Sequence, residues 1–295
     1  MKLGIGTAQF GLDYGISNQQ GKTSPEEVAK ILELAHKNGV SLIDTAHLYS
    51  TSEEVLGQTI NHKHNFTIVS KTPQFSQENI TINDTDLLEN TLHQSLEKLQ
   101  KSSIYALLIH RADDVLTTNG HLLIEKMQSL KKQGLIKKIG VSVYNSQQID
   151  KIIANYAIDI IQLPLNVLDQ RLIKSGHLSK LKHLGVEIHA RSIFLQGLLL
   201  MNFNTLSVFF EPIKDHLSYY HHDIANLGLS SLQVSLAFVL GLKEVDYAIV
   251  GVNNCHHLQE ILDGTNINQI QFKDFDKYFF DNELILNPTN WYKGV

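Results

Sequence analysis

Short apolar runs, many of them β-branched, recur along the chain and are separated by longer stretches whose apolar positions fall at helical spacing. The runs predict strands near Leu3–Thr7, Leu42–Ala46, Phe66–Lys71, Ile104–His110, Ile139–Val143, Ile158–Leu163, Glu187–Ser192 and Tyr247–Val250. The intervening spacing predicts helices at Pro25–Lys37, Glu53–Asn61, Asp86–Leu99, His121–Gln133, Gln147–Asn155, Leu178–His183, Ser231–Leu240 and His256–Leu262. The first helix has a readable start and stop: Ser24 at the N-cap, Pro25 at the first helical position, and Asn38-Gly39 at its end. Strand and helix alternate with no long linker, which predicts an α/β chain with a parallel sheet and helices outside it. Repetition through eight such units favours closure into a single-domain (β/α)8 TIM barrel over residues 1–295, with a C-terminal extension. The stretch Phe203–Asn226 is longer than an ordinary strand-to-helix loop and rich in aromatic and polar residues. It is either a substrate loop or a patch on the barrel rim. After Thr265 one more helix is expected near Phe275–Phe280.

Composition narrows the function without naming it. The 295 residues are 43% hydrophobic and 19% charged, the balance of a globular enzyme. A formal net charge of −5, with Lys and Arg scattered, argues against a nucleic-acid surface. One cysteine, Cys255, excludes an internal disulfide and a cysteine metal cluster. No apolar stretch reaches the roughly 18 residues needed to span a bilayer, and the first residues lack a signal-peptide core. A cytoplasmic protein without a membrane partner is expected, working as a monomer or weak homo-oligomer. The pairs His62/His64, His221-His222 and His256-His257 lack the helical His-x-x-x-His spacing of a zinc site, so solvated surface histidines and no metal are expected. Gly4-Ile5-Gly6 is not completed into a dinucleotide-binding glycine loop, because Gln9 stands where the third glycine is needed.

Barrel enzymes carry their chemistry where strands end. Three successive runs end in titratable residues: Asp44 in Leu42-Ile43-Asp44, Lys71 in Ile68-Val69-Ser70-Lys71, and His110 in Leu107-Leu108-Ile109-His110. Tyr49 follows in the loop after the first of them. Any one of these alone is as readily a satisfied structural group; together, on adjacent strands, they can converge on one point. A phenol titrates near 10, and a neighbouring ammonium is expected to lower that value and make Tyr49 a better proton donor. Asp44 would hold Lys71, and His110 would orient a substrate oxygen on which charge develops.

Asp44-Thr45-Ala46-His47-Leu48-Tyr49-Ser50-Thr51-Ser52-Glu53 resembles the Asp-Thr-Ala-x-x-Tyr-Gly-x-Ser-Glu signature of the aldo-keto reductase family, with Ser50 in place of the glycine. Lys71 and His110, the latter in Ile109-His110-Arg111, match the remaining catalytic positions. The resemblance runs from the first strand to about Leu262. It implies an NAD(P)H-dependent oxidoreductase acting on a small carbonyl compound, with Tyr49 as the acid. Ser142 in Gly140-Val141-Ser142-Val143 and Gln162 in Gln162-Leu163-Pro164 match the positions that hold the nicotinamide carboxamide, although Val143 replaces the family's asparagine. Arg191-Ser192 occupies the site where relatives carry an aromatic residue stacked on the nicotinamide. The Arg191 guanidinium could stack there, pair with an anionic substrate or phosphate, or form a salt bridge without ligand contact. Leu195-Gln196-Gly197 resembles the loop along the pyrophosphate. Gly251, Asn253, Asn254 and His257 stand where the family binds the adenosine phosphate, with Gln259 and Glu260 as further adenine-side contacts or plain surface. NADP is implied, and NAD stays open because the usual cations are missing. His47 and Arg111, with Phe10, Tyr14 and Arg191, form the expected substrate neighbourhood, for which a sugar-like ligand is one reading. Two other readings stay open: a cofactor-binding redox-sensing subunit with little turnover, and a barrel isomerase or lyase using Lys71 as base or Schiff-base amine.

Overall fold

The computed structural model describes residues 2–75, 78–265 and 274–293. Eight parallel strands close into one barrel in chain order. They are β1 (Leu3–Gly6), β2 (Leu42–Asp44), β3 (Thr67–Lys71), β4 (Ile104–Ile109), β5 (Ile136–Ser142), β6 (Ile160–Pro164), β7 (Glu187–Arg191) and β8 (Tyr247–Gly251). β1 pairs with both β2 and β8, so no strand edge is left open. The fold is the (β/α)8 TIM barrel that the alternation predicts. Helices Pro25–Lys37, Ser52–Thr59, Ile82–Lys98, His121–Lys132, Ser146–Asn155, His177–His183, Ser231–Gly241 and Cys255–Gly264 follow the strands in turn.

Strands buried on both faces read as continuous apolar runs, and here their two faces serve two cores. Outward residues such as Ile5, Ile43, Leu107, Val141 and Ile188 pack under the helices. Inward residues Leu42, Val69, Ala106, Leu108, Ile160 and Ile249 fill the barrel itself. The period of two along a strand then carries the next inward positions above that plug. Asp44, Lys71, Ser142, Gln162 and Arg191 thereby reach the C-terminal rim.

Several boundaries differ from the sequence expectation. β5 starts at Ile136, three positions before Ile139. The helix expected from Asp86 starts at Ile82, because the Thr81 backbone N–H donates to Asp84 Oδ2 at 2.8 Å and starts the turn earlier. The stretch Phe203–Asn226 is not a loop. It contains two short 3-10 turns and the helix Glu211–Asn226, which buries Ile213, Leu217, Tyr220 and Ile224 against the barrel. That spacing of four, three and four is helical, and aromatic and histidine residues between the apolar positions obscure it. The expected helix near Phe275–Phe280 is a single 3-10 turn at Asp276–Tyr278, while residues 266–273 of the tail lie outside the described residues. Of the histidines expected on the surface, His62, His222 and His256 are exposed, whereas His64 is buried with Nε2 3.1 Å from Glu33 Oε2, and His221 packs beside Phe203. Among the described residues, no single helix is long and apolar enough to cross a membrane. Nor does any group of three His, Cys, Asp or Glu among them suit a metal ion.

Candidate active site

A cavity of about 650 Å³ opens at the C-terminal ends of the strands, within the usual range for a small-molecule site. Asp44, Tyr49, Lys71 and His110 all line it, so the four side chains singled out at three adjacent strands meet in one place.

Tyr49 is held there by a tight turn. The helix Ala8–Gly11 passes so close that a Cβ on Gly11 would lie 1.7 Å from the Tyr49 carbonyl oxygen. Only glycine fits. The next residue, Ser50, adopts φ 49°, a left-handed conformation that glycine takes without strain, which explains why a glycine suits this place in the signature. Ser52 closes the turn by donating from Oγ to the Thr7 carbonyl at 2.9 Å. Glu53 is buried beside it and accepts from Ser70 Oγ at 2.6 Å. These supporting groups were visible in the signature only as letters.

Lys71 is buried and fixed from two sides: Nζ donates to Asp44 Oδ2 at 2.7 Å and to the Thr45 carbonyl at 2.9 Å. Gln162 Nε2 donates to the other Asp44 oxygen, Oδ1, at 2.8 Å. Asp44 is thus shared between an ammonium and an amide, with both oxygens used. Lys71 Nζ lies 5.1 Å from the centre of the Tyr49 ring, and His110 meets that ring edge-on at 6.0 Å.

The electrostatics correct one expectation. Burial pushes the Tyr49 phenol well above its ordinary range and the Asp44 carboxylate adds to that, while Arg191 pulls the other way. In the site as it stands the phenol is therefore harder to ionise, not easier, and the opposing cation is Arg191 rather than Lys71. Burial also lowers Lys71, against the pull of Asp44. His110 is held down to about 3, by burial first and then by Lys71 and Arg191, so its imidazole is neutral at ordinary pH.

Of the positions expected to touch a cofactor, Ser142, Gln162, Arg191, Ser192, Gln196, Gly197, Gly251, Asn253 and His257 all line the cavity, as does Glu260. Leu195 and Asn254 do not. Leu195 is wholly buried in the core, and Asn254 caps the helix Cys255–Gly264 by accepting from the His257 N–H at 2.9 Å. The two expected substrate contacts also lie off the lining. Arg111 closes on Asp114 and the Phe75 carbonyl, locking two loops together. His47 sits where burial lowers its pKa and Glu53 opposes this, with Nδ1 enclosed. Phe10 is buried as well, whereas Tyr14 lines the cavity. No residue of 203–226 lines it.

Other lining groups escaped the sequence reading. Tyr144 stacks under the Arg191 guanidinium at 4.3 Å. Asn18, Gln19 and Gln20 form a wall in the loop before the first long helix, and Pro288 and Thr289 arrive from the far end of the chain. That loop is fastened across the cavity: Gln196 Nε2 donates to Tyr14 Oη at 3.0 Å, and Asn254 Nδ2 to Gln20 Oε1 at 3.0 Å. A Cβ on Gly197 would lie 2.0 Å from Ser17 Oγ, so the turn after β7 touches the same loop. Ser192, Leu195, Gln196 and Gly197 in that turn all take positive φ, a concentration of strain typical of ligand-holding segments.

A nicotinamide dinucleotide can be tested against these groups. His110 Nδ1 and Asn253 Nδ2, both on residues of the lining, are buried and bonded to nothing among the described residues. Buried polar atoms of this kind call for a partner, and a lining that mixes Ser, Asn, Gln, Gly and apolar residues suits a ligand with amide, ribose and phosphate groups.

A model of the aldo/keto reductase family matches residues 2–278. An uncharacterized oxidoreductase, YqkF of Bacillus subtilis, is 23% identical over 91% of this chain and 92% of its own length. Aldo-keto reductase str7 of Strobilurus tenacellus is 29% identical over 60% of this chain, and D-arabinose 1-dehydrogenase of Saccharomyces cerevisiae 26% identical over 45%. The match spans about half of those two relatives, 53% and 42% of their lengths. Among solved structures, aldo-keto reductase AKR11C1 from Bacillus halodurans in its holo form superposes with a TM-score of 0.75 at 17% identity, over 94% of this chain and 90% of that one. Glycerol dehydrogenase AKR11B4 from Gluconobacter oxydans gives 0.72 at 19% identity, over 97% and 92%. At such identities the structural likeness speaks for the fold.

Proposed function

The chain belongs to the aldo/keto reductase family, and from that premise we propose that it interconverts a small carbonyl compound and its alcohol, with Tyr49 as the proton-transferring group. The observation that carries this reading is the convergence of Tyr49, Lys71, His110 and Asp44 on one cavity. A nicotinamide dinucleotide, when bound, supplies the hydride for reduction or accepts it in oxidation. Ser142, Gln162, Asn253 and the turn around Gln196 and Gly197 are the groups suited to hold it.

The chain's own residues account for the proton. His110 is neutral, so it can hydrogen-bond a carbonyl oxygen without placing a charge there. As that oxygen takes up negative charge it becomes a stronger base than a phenolate, and the Tyr49 proton moves downhill to it. The raised pKa of the phenol keeps the proton in place until that moment. Lys71 and Arg191 then face the phenolate left behind, with Lys71 held in position by Asp44. In the reverse direction the same phenolate accepts the alcohol proton.

The family resemblance implies NADP, but a specific observation favours NAD. Two of the first three backbone N–H groups of the helix Cys255–Gly264 are already engaged: Glu27 Oε1 accepts from Cys255 at 2.8 Å and Asn254 Oδ1 from His257 at 2.9 Å. Backbone and side-chain hydrogen bonds hold the Glu27 carboxyl below its usual range, so it is charged. Glu260 adds a second carboxylate, and among the described lining residues the cations Lys71 and Arg191 belong to the catalytic end. A 2′-phosphate dianion is poorly matched to that helix end. Absorbance of NADH or NADPH followed with a panel of aldehydes and ketones tests both points. Turnover with a preference for NADH is expected; tight cofactor binding without turnover on any carbonyl compound would overturn the reductase reading.

A further inference from the structure

The chain has three arginines. Arg111 pairs with Asp114, and Arg171 pairs with Asp169 at 2.8 Å. Arg191 pairs with no carboxylate among the described residues. It donates from Nη2 to the Val143 carbonyl at 3.0 Å and from Nη1 to Ser192 Oγ at 3.3 Å, and its Cζ lies over the Tyr144 ring, 4.3 Å from the ring centre. A guanidinium carries five N–H donors, so these contacts hold it in place and leave donors in its plane unassigned. It is only partly exposed, at the wall of the catalytic cavity. Lys71 does not share its position, because Asp44 neutralises it at 2.7 Å. His110 is neutral. The catalytic end of the cavity is therefore left with one uncompensated cation, fixed by an aromatic stack and two hydrogen bonds in the manner that prepares a fork-shaped donor for a two-oxygen anion.

We propose that Arg191 anchors an anionic group of the substrate, a carboxylate or a phosphate carried on the carbonyl compound close to its reactive oxygen. The proposal rests on the carbonyl-reductase reading of the same cavity and narrows it to acidic carbonyl compounds. Arg191 stands at the same rim as the catalytic groups: it lines one cavity with Tyr49, Lys71 and His110, and its strand β7 pairs with β6, whose Gln162 donates to Asp44 at 2.8 Å. Pairing with an anion also relieves the cost of a half-buried cation without a counter-charge.

The test compares matched carbonyl substrates in wild type, Arg191→Gln and Arg191→Lys. The pairs are 4-carboxybenzaldehyde against 4-formylbenzamide, and glyceraldehyde 3-phosphate against glyceraldehyde. The ratio of anionic to neutral kcat/KM is expected to fall by roughly 10- to 100-fold in Arg191→Gln, the range for losing hydrogen bonds to a charged group. Loss of the charge facing the Tyr49 phenolate lowers kcat for both members of a pair alike and cancels in the ratio, so the change in the ratio should sit mainly in KM, and Arg191→Lys should restore part of it. The first pair responding identifies a carboxylate, the second a phosphate. In parallel, benzoate, inorganic phosphate and neutral benzamide are titrated calorimetrically into the three proteins. Turnover of neutral aldehydes with no anionic preference in wild type, or equal anion binding by wild type and Arg191→Gln, overturns the proposal while the reductase reading stands. Anion binding lost in Arg191→Gln without turnover of any carbonyl compound leaves Arg191 as an anion anchor and removes the reductase reading instead. A variant that weakens only NADH or NADPH binding would place Arg191 on the cofactor and overturn the substrate assignment.

Discussion

The two ends of the barrel carry similar residue types and use them differently. At the floor, Glu187 accepts from Lys138, from Tyr105 Oη at 2.8 Å, and lies 2.7 Å from His189 Nε2. Burial pushes the Glu187 carboxyl up, but the hydrogen bonds from His189, Lys138 and Tyr105 outweigh it and hold the carboxyl down at about 2. A carboxylate, an amine, an imidazole and a phenol therefore close on one another, and only His189 Nδ1 in that cluster remains without a partner. At the mouth the same four types appear as Asp44, Lys71, His110 and Tyr49. There only the carboxylate and amine close on each other. The phenol and imidazole face the cavity, accompanied by a guanidinium with no carboxylate partner among the described residues. Residue type alone does not distinguish a plug from a reactive centre. What distinguishes them is whether the hydrogen-bonding capacity is used up within the protein.

The contrast can be broken first at the mouth's one closed pair. Asp44→Asn leaves the buried Lys71 ammonium without its counter-charge, and breaking a buried pair this way costs about 3–5 kcal/mol. Chemical denaturation should show that loss together with a collapse of turnover; a variant of wild-type stability would mean that Lys71 is neutral beforehand. Gly11→Ala comes next, since its Cβ needs the Tyr49 turn to shift. Overpacking costs about 1–3 kcal/mol, and a misplacement of about 1 Å can cost on the order of 100-fold in rate. Full activity in this variant would show that the turn need not be held so tightly.

At the floor, Glu187→Gln removes the charge and one of the two acceptor oxygens that serve three donors, and should cost about 1–3 kcal/mol in a melt or denaturant titration. Its kcat/KM should stay at the wild-type value; a loss there would mean that the floor reaches the chemistry.

At neutral pH the last effect vanishes, because it is a pH dependence at the mouth that appears only in acid. Because His110 is held to about 3 in the folded protein and returns to roughly 6.5 when unfolded, the unfolded chain binds its proton first as pH falls. The folded state should lose stability between about pH 6.5 and 3 on this account. His110→Gln should show a flatter acid limb, and an identical limb would remove His110 from the balance.

How much of this the sequence carries follows from the same physics. Strands buried on both sides are legible as apolar runs, and inward strand-end positions such as Asp44, Lys71, Ser142 and Gln162 are legible because side chains alternate with a period of two. The helix Glu211–Asn226 is not, since Tyr219, His221 and His222 break its apolar face into what looks like a polar loop. Tyr144 and the wall at Asn18–Gln20 lie beyond strand ends, where backbone direction is set by tertiary contacts such as Asn254 to Gln20. The sign of the Tyr49 shift is hidden for a related reason. A nearby lysine can be read from order along the chain, but the burial that outweighs it belongs to the folded cavity.

The most direct test crosses the two ends in one experiment, with Tyr49→Phe and Glu187→Gln each measured for kcat/KM and for melting temperature. Tyr49→Phe should lose about 100- to 10,000-fold in kcat/KM, the usual worth of a positioned acid, while melting with the wild type and still binding NADH. Glu187→Gln should melt lower and turn over like the wild type. An active Tyr49→Phe, or an inactive Glu187→Gln of unchanged melting temperature, would contradict the assignment of the chemistry to the mouth.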